Sequence, residues 1–315
     1  MRAKYIKENF GNILQPKSEK EVENEANKLA PQELLKLAIE NENKQLVKRA
    51  LDNGANLNLP FMNHMKNQTP LVYTIAHSAY IMESNLDFIK YLFKIGSNKD
   101  QKNMLFWGLK LASLFGKDKI VNFLINNIKY SKSQLRKCLI AASFKKMRFM
   151  DLTLIKENTN HLGVIKLLVK AGVDPSYGLT GAIYGDGTGL KTLIKMGGDV
   201  NMEGFPKNYG NLLKKVLGFI DFTSGKLVDE QNDQSLMNAE ILLSNGYNVT
   251  KDDMNFITYS VHIGLSNRSY PLPSDTINYE TGEKFGPGFT TSGIEPSRKK
   301  KRKELIRALL NKYKN

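Results

Sequence analysis

The chain has 315 residues, 41% of them apolar, and a formal net charge of +15. Its one cysteine, Cys138, excludes an internal disulfide framework and a cysteine-rich zinc site. No stretch approaches the roughly 18 uncharged apolar residues that a membrane helix needs, and the N-terminus lacks the continuous apolar segment of a secretory signal. We therefore expect a cytoplasmic protein that is long enough to bury a large core.

The positive charge is concentrated in two zones. Residues 102–148 contain eleven Lys and Arg against the single acid Asp118, and residues 298–315 contain nine against Glu304. Two basic zones on a nearly neutral chain predict an acidic partner, whether protein, nucleic acid or membrane surface. A basic surface that only keeps the protein soluble gives the same pattern, so both interpretations stay open.

The first thirty residues, 1–30, are predicted to form a leader with a capping helix. Ser18 and Glu21 have the spacing of a capping box, and the helix that they open is mostly polar through Ala30. Such a helix suits the end of a helical array better than its core. The leader KYIKENFGNILQPK resembles short leaders on uncharacterised phage and marine-virus proteins, which would place the protein in a host cytoplasm.

A repeated pattern of helix and glycine organises the rest of the chain. In residues 161–174, HLGVIKLLVKAGVD, apolar side chains including Leu167 form one helical face, and Lys166 is left for solvent. Gly172 follows where helices end in a left-handed residue. The pattern returns at 46–54, 86–96 and 190–197, and in weaker form at 120–128 and 239–246. Helices that cannot bury their apolar faces alone predict a stacked array.

Several of these segments resemble the ankyrin repeat. The matching segments are Leu37-Ala38-Ile39, Leu46-Val47, Gly54-Ala55-Asn56-Leu57-Asn58, Thr69-Pro70-Leu71, Leu111-Ala112 and Gly116. Ile128 stands where that family has glycine. The resemblance implies an all-α, ankyrin-type helical solenoid of about seven irregular repeats over residues 31–315.

Insertions interrupt the predicted array. The fourth repeat is split near 144–159, and the sixth pairs 212–220 with 239–243 across a polar insertion at 223–235. The longest insertion, 266–295, is rich in Pro and Gly and is predicted to be a loop without a core. A basic capping helix over 297–313 is predicted to follow it.

No segment carries a recognisable catalytic or metal-binding pattern. The glycine-rich run 181–192 resembles a phosphate loop, but Leu190 separates the last glycine from Lys191, where the pattern needs a lysine directly after the glycine. The four histidines lack metal-ligand spacing. We therefore expect no enzyme activity, no cofactor and no metal. On the inner helices, we expect Cys138 to be buried and Trp107 to be mostly buried by its neighbours.

The ankyrin resemblance implies protein binding, because partners of that family dock on the projecting loops and on the concave face. The predicted partner-binding residues are Phe61, Met62, His64, Met65, Tyr177, Phe205 and Tyr209. In the central basic zone, Lys117, Lys119 and Lys145 are predicted to attract an acidic protein. Two alternatives remain: a nucleic-acid-binding protein that uses 102–148 and 298–315, and a viral structural or scaffold component.

Overall fold

The computed structural model describes residues 19–59, 69–80, 86–96, 102–144, 159–202, 212–218, 226–250, 253, 304 and 306–313. These residues contain helices and no strand, which confirms the expected all-α class. The helices are α1 (Glu19–Ala26), α2 (Pro31–Glu40), α3 (Lys44–Asp52), α4 (Pro70–Tyr80), α5 (Leu86–Lys94), α6 (Lys102–Leu114), α7 (Asp118–Asn127), α8 (Lys132–Ser143), α9 (His161–Lys170), α10 (Ser176–Ala182), α11 (Thr188–Lys195), α12 (Leu212–Gly218) and α13 (Lys226–Ser244). Residues 306–312 are helical as well. None of the helices in these ranges has the length and apolar character needed to cross a membrane.

The chain forms two compact units. Unit 1 comprises Met1–Cys138 and Arg148–Ala171, and unit 2 comprises Leu139–Met147 and Gly172–Asn315. In unit 1, α2 packs against α3, α4 against α5 and α6 against α7. Helix α4 also contacts α2 and α6, and α7 contacts α9, so successive helix pairs are neighbours. In unit 2, α10 packs against α11 and α12 against α13, while α11 also contacts α13.

Small residues allow the first helices of successive pairs to approach closely. In unit 1, a Cβ added at Gly108 of α6 would lie 3.1 Å from Cγ2 of Ile75 on α4. In unit 2, Gly181 of α10 lies against the backbone carbonyl of Ile140 at the end of α8. Glycine at these positions therefore brings backbone and side chains of neighbouring helices into direct contact.

Side chains and glycines define the ends of the helices. Asn43 begins α3, and its Oδ1 accepts hydrogen bonds from the backbone N–H groups of Gln45 and Leu46. Asn160 begins α9 in the same way and accepts from the Gly163 N–H at 2.8 Å. The glycines with positive φ that follow a helix are Gly54, Gly96, Gly116, Gly172, Gly197 and Gly246, as the repeated pattern predicts. Ile128 has φ −131° and ψ 129° instead, so the chain leaves α7 in an extended conformation.

The buried face of α9 is narrower than the predicted one. Val164, Ile165 and Leu168 are buried, whereas Leu167 is only half-buried and Lys166 is exposed. The helical period was correct, but which residues of the apolar face become fully buried depends on where α7 packs. The prediction that Leu167 is a core residue is therefore wrong, while Leu168, also predicted on this face, is fully buried.

The predicted polar insertion at 223–235 is helical over its described part. Helix α13 runs without a break from Lys226 to Ser244 and therefore includes residues 226–235. This segment contains neither proline nor glycine, and polar residues such as Glu, Gln and Lys are good helix formers. Residues 145–158 of the predicted fourth-repeat insertion and the 266–295 insertion lie outside the described residues.

Candidate partner-binding surface

Three of the ten predicted partner-binding residues belong to the described part of the chain. Tyr177 on α10 is half-buried, Lys119 on α7 is exposed, and Lys117 lies in the turn between α6 and α7. The other seven, Phe61, Met62, His64, Met65, Lys145, Phe205 and Tyr209, lie outside the described residues. Tyr177 and Lys119 belong to different units, so they are considered separately.

The prediction that Lys117 is an exposed charge is wrong. Lys117 is only 3% exposed, and its backbone N–H donates to the carbonyl oxygen of Ala112 at 2.8 Å. Burial lowers the pKa of its ammonium group below the ordinary value. The tight turn after α6 holds this residue against the helices, so Lys117 cannot act as a surface charge that attracts a partner.

Trp107 is mostly covered, as predicted, but it keeps more exposed surface than the core positions of its helix. It is 36% exposed, whereas Leu105 and Leu109 are fully buried. Leu105, Leu109 and Ala112 are buried and share one face of α6, as their spacing on a helix requires. Trp107 and Lys110 lie on the opposite, exposed side of the same helix. The sequence contains this signal, because Trp107 is out of phase with the apolar positions of α6.

Helix α8 places a second lysine beside α6. The Nζ atom of Lys137 lies 6.0 Å from the ring centroid of Phe106, within reach of a cation–π interaction. Lys137 is exposed and Phe106 is half-buried. Cys138, the next residue, faces inward and is fully buried. The exposed side of α6 and the adjoining part of α8 thus form one surface, here called the α6–α8 surface, which consists of Phe106, Trp107, Lys110 and Lys137.

The α6–α8 surface carries positive charge that its own helices do not neutralise. Neither α6 nor α8 contains an Asp or Glu. The acid that lies between them in sequence, Asp118, is at the start of α7 and accepts a hydrogen bond from Asn160 Nδ2 at 2.9 Å. An acidic group that approaches this surface from solvent therefore meets Lys110 and Lys137, and neither α6 nor α8 supplies an acidic competitor.

Cys138, which lies beneath this surface, has an unreactive thiol. Burial raises the pKa of its thiol to about 12, although a hydrogen bond with Ser113 and the charge of Lys110 act in the opposite direction. The thiol is therefore protonated at neutral pH and is a poor nucleophile. The prediction that Cys138 is a buried apolar side chain is confirmed.

The histidines that the structure describes take part in packing. The His77 ring stacks on Tyr73 with centroids 5.7 Å apart, and burial lowers the pKa of His77. His161 begins α9, and its ring lies where a Cβ on Gly116 would be. Within the described ranges, no group of three or more His, Cys, Asp or Glu side chains is arranged to hold a metal ion.

No protein-family model, curated protein or solved structure matches this chain. On the α6–α8 surface, Trp107 has Lys110 one turn further along α6, and Lys137 lies over the neighbouring Phe106 ring. This arrangement has the chemistry of a binding surface, because it offers apolar contact area and positive charge together.

Proposed function

We propose that this protein is a non-enzymatic protein-binding module built from ankyrin-type helix pairs that form a solenoid of irregular repeats. The observation that carries the proposal is a set of hydrogen bonds between neighbouring helix pairs. In each case, the second helix of one pair, or the residue just before it, donates to a backbone carbonyl at the start of the second helix of the preceding pair or in the turn before it. The donor group differs from one pair to the next.

Unit 1 contains two of these hydrogen bonds. The hydroxyl of Tyr91 on α5 donates to the carbonyl oxygen of Lys44 at the start of α3, at 3.3 Å. The backbone N–H of Asn160, before α9, donates to the carbonyl oxygen of Gly116, before α7, at 2.7 Å. These bonds link outer helices of neighbouring repeats in the proposed arrangement.

In unit 2 the hydrogen bonds between neighbouring pairs come from one buried side-chain amide. The Nδ2 group of Asn238 on α13 donates to the carbonyl oxygens of Ile183 and Gly185, both at 2.9 Å, in the turn that precedes α11. Asn238 is fully buried, so these two bonds satisfy an amide group that would otherwise be costly to bury. Hydrogen bonds between neighbouring pairs support a repeat architecture, because such proteins are stabilised mainly at the interfaces between repeats.

Loops that follow the helix pairs support the same proposal. Asn56 and Gln32 form reciprocal bonds in unit 1, with Asn56 N–H to Gln32 Oε1 at 3.0 Å and Gln32 Nε2 to Asn56 O at 3.1 Å. In unit 2, the Asp199 N–H donates to Ser176 Oγ at 2.9 Å. Each loop is thus fixed to the start of the first helix of its own pair. Fixed loops and exposed helix faces are the surfaces through which the proposed module would bind a protein.

The proposal is tested by affinity capture from an extract of the source cell, with and without nuclease treatment, followed by mass spectrometry. A captured protein is then purified, and its direct binding is measured by calorimetry. A protein that binds directly and survives nuclease treatment supports the proposal. Capture that nuclease abolishes would contradict it.

A second candidate function is binding of single-stranded nucleic acid, favoured by the partly exposed Trp107 on a surface that also carries Lys110 and Lys137. Bases stack on exposed aromatic rings, and lysines attract phosphates. Salt dependence separates the two functions, because phosphate contacts release counterions and weaken steeply as salt rises.

A further inference from the structure

The α6–α8 surface combines one exposed aromatic ring with two lysines. We propose that it binds an acidic peptide segment that carries a large apolar side chain, with Trp107 contacting the apolar group and Lys110 and Lys137 contacting the carboxylates. This inference rests on the proposed protein-binding function and names the chemistry of the partner.

Trp107 is suited to be the centre of the contact. It is 36% exposed, while Leu105 and Leu109 fix α6 from its buried side. A ring on a fixed helix loses little conformational freedom when a partner covers it. Tryptophan is enriched among the few interface residues that contribute most of the binding energy.

The lysines determine the sign of the partner's charge. Lys110 follows Trp107 by three residues on α6, so the two side chains are neighbours on the helix surface. Lys137 reaches the same area from α8 and is positioned over the Phe106 ring at 6.0 Å. Because neither helix contains an acid, carboxylates of the partner would complete the charge balance at this surface.

A peptide fits this surface better than a nucleic-acid strand. Proteins that bind single-stranded nucleic acid without sequence preference hold it in grooves, where several aromatic rings stack on successive bases. Among the described residues of unit 1, the large exposed apolar side chains are Trp107 and Leu59, of which only Trp107 is aromatic. One ring with two flanking cations matches one apolar side chain with flanking carboxylates.

The experiment selects peptides from a random display library on the whole protein. The wild-type protein is expected to enrich peptides with several Asp or Glu around one aromatic or aliphatic residue. Trp107→Ala is expected to weaken binding of these peptides at least about tenfold, as truncation of a central interface tryptophan does. The double variant Lys110→Gln, Lys137→Gln should weaken binding and reduce its salt dependence.

Matched controls are available within unit 1. Leu59→Ala removes another exposed apolar side chain, and Lys119→Gln removes another exposed lysine of the central basic zone. Both variants should bind the enriched peptides as wild type does. Circular dichroism verifies that every variant retains its helices. Equal loss of binding in the control variants would overturn the assignment of this surface.

The single tryptophan gives a second, site-specific readout. A selected peptide that covers Trp107 should shift its emission to shorter wavelength in wild type, and the lysine double variant should need a higher peptide concentration for the same shift. Peptides that bind without this shift and bind Trp107→Ala equally well would overturn the inference and leave the protein-binding function intact. If oligo(dT) shifts the Trp107 emission while the peptides do not, both the peptide-binding inference and the proposed protein-binding function are overturned.

Discussion

Asn201 binds the backbone on both sides of Tyr247: its Nδ2 donates to the Gly246 carbonyl at 3.0 Å, and its Oδ1 accepts from the Asn248 N–H at 2.8 Å. One side chain in the loop after α11 therefore fixes the loop after α13. An aspartate in this place could accept but not donate, and it would place a charged oxygen near the Gly246 carbonyl.

Asn201→Asp should therefore lower the free energy of unfolding by about 0.5–1.5 kcal/mol, because Asn201 is exposed and loses one hydrogen bond to the backbone. The matched control is Asn126→Asp on α7, because the Nδ2 of Asn126 donates to Asn122 on the same helix. The control should cost about 0.5 kcal/mol or less, as exposed substitutions usually do. Urea denaturation measures both values. Equal losses would mean that the link between Asn201 and the 246–248 backbone contributes nothing to stability.

Leu168→Ala should be more destabilising than Leu167→Ala. Leu168 is fully buried, so its truncation should cost about 2–5 kcal/mol through lost burial and a cavity. Leu167 is half-buried and should cost less, and Lys166→Ala should stay within about 0.5 kcal/mol. Denaturant midpoints give the order of the three variants. A larger loss at Leu167 than at Leu168 would contradict the observed buried face of α9.

Gly116 and Gly54 should differ in their tolerance of alanine. Both have positive φ, +65° and +94°, so each substitution strains the backbone by about 1–2 kcal/mol. At Gly54 nothing lies within 4 Å of an added Cβ, whereas at Gly116 it would be 2.9 Å from His161 Cδ2 and 3.1 Å from the backbone nitrogen of Asn160. Gly116→Ala should therefore lower the thermal midpoint clearly more than Gly54→Ala. Equal midpoints would show that α9 moves away at no cost.

Cys138 should make the protein less stable at alkaline pH. Its pKa rises from an ordinary 9.0 to about 12 in the folded state, so above pH 9 the unfolded chain releases a proton that the folded chain retains. The free energy of unfolding therefore falls as pH rises from 9 toward 12. At about pH 10.5 the contribution of Cys138 to this fall should be about 2 kcal/mol.

The measurement compares urea unfolding at neutral pH and at about pH 10.5 in wild type and in Cys138→Ala. The alanine variant should show a smaller fall between the two pH values, whatever its stability at neutral pH. Burial also raises the pKa of Tyr73 to about 12. Because both proteins contain Tyr73, part of the fall in the free energy of unfolding remains in Cys138→Ala. An identical pH dependence of the two proteins would mean that the Cys138 thiol ionises as easily in the folded chain as in the unfolded one.

The charge around Trp107 should be visible in fluorescence quenching. Lys110 and Lys137 attract anions, so iodide should quench the single tryptophan more strongly than caesium does at low ionic strength. The excess of iodide quenching over caesium quenching should decrease with added salt. It should also be smaller in the variant with Lys110→Gln and Lys137→Gln. Lys119→Gln is the control, and it should change the ratio less. Stronger quenching by caesium would contradict the basic character of the α6–α8 surface.

Sequence periodicity was sufficient for the all-α class and for the glycines that end helices. Gly54, Gly172 and Gly197 have the positive φ that the repeated pattern requires. These features are local, because a glycine after an amphipathic helix determines the backbone conformation whatever packs nearby. The conformation of the polar stretch at 226–235 was not predicted, since polar composition alone does not distinguish a helix from a loop.

The exposure of particular side chains could not be read from the sequence. Lys117 was expected at the surface and is buried, while Trp107 was expected to be mostly buried and is 36% exposed. Burial depends on which face of a helix its neighbours cover and on the direction in which a turn leaves it. The sequence therefore placed Lys117 among the partner-binding candidates and did not single out Trp107, which belongs to the α6–α8 surface.

The hydrogen bonds between successive helix pairs have a consequence for sequence change. Their acceptors are the main-chain carbonyls of Lys44, Gly116 and Ile183. A carbonyl is present whatever side chain the residue carries, so mutation on the accepting side leaves the group in place. The donors at Tyr91 and Asn238 are side chains and therefore depend on the sequence. At Asn160 the donor is a backbone N–H. At Lys44 and Ile183, a substitution therefore leaves the acceptor of the contact between neighbouring pairs available.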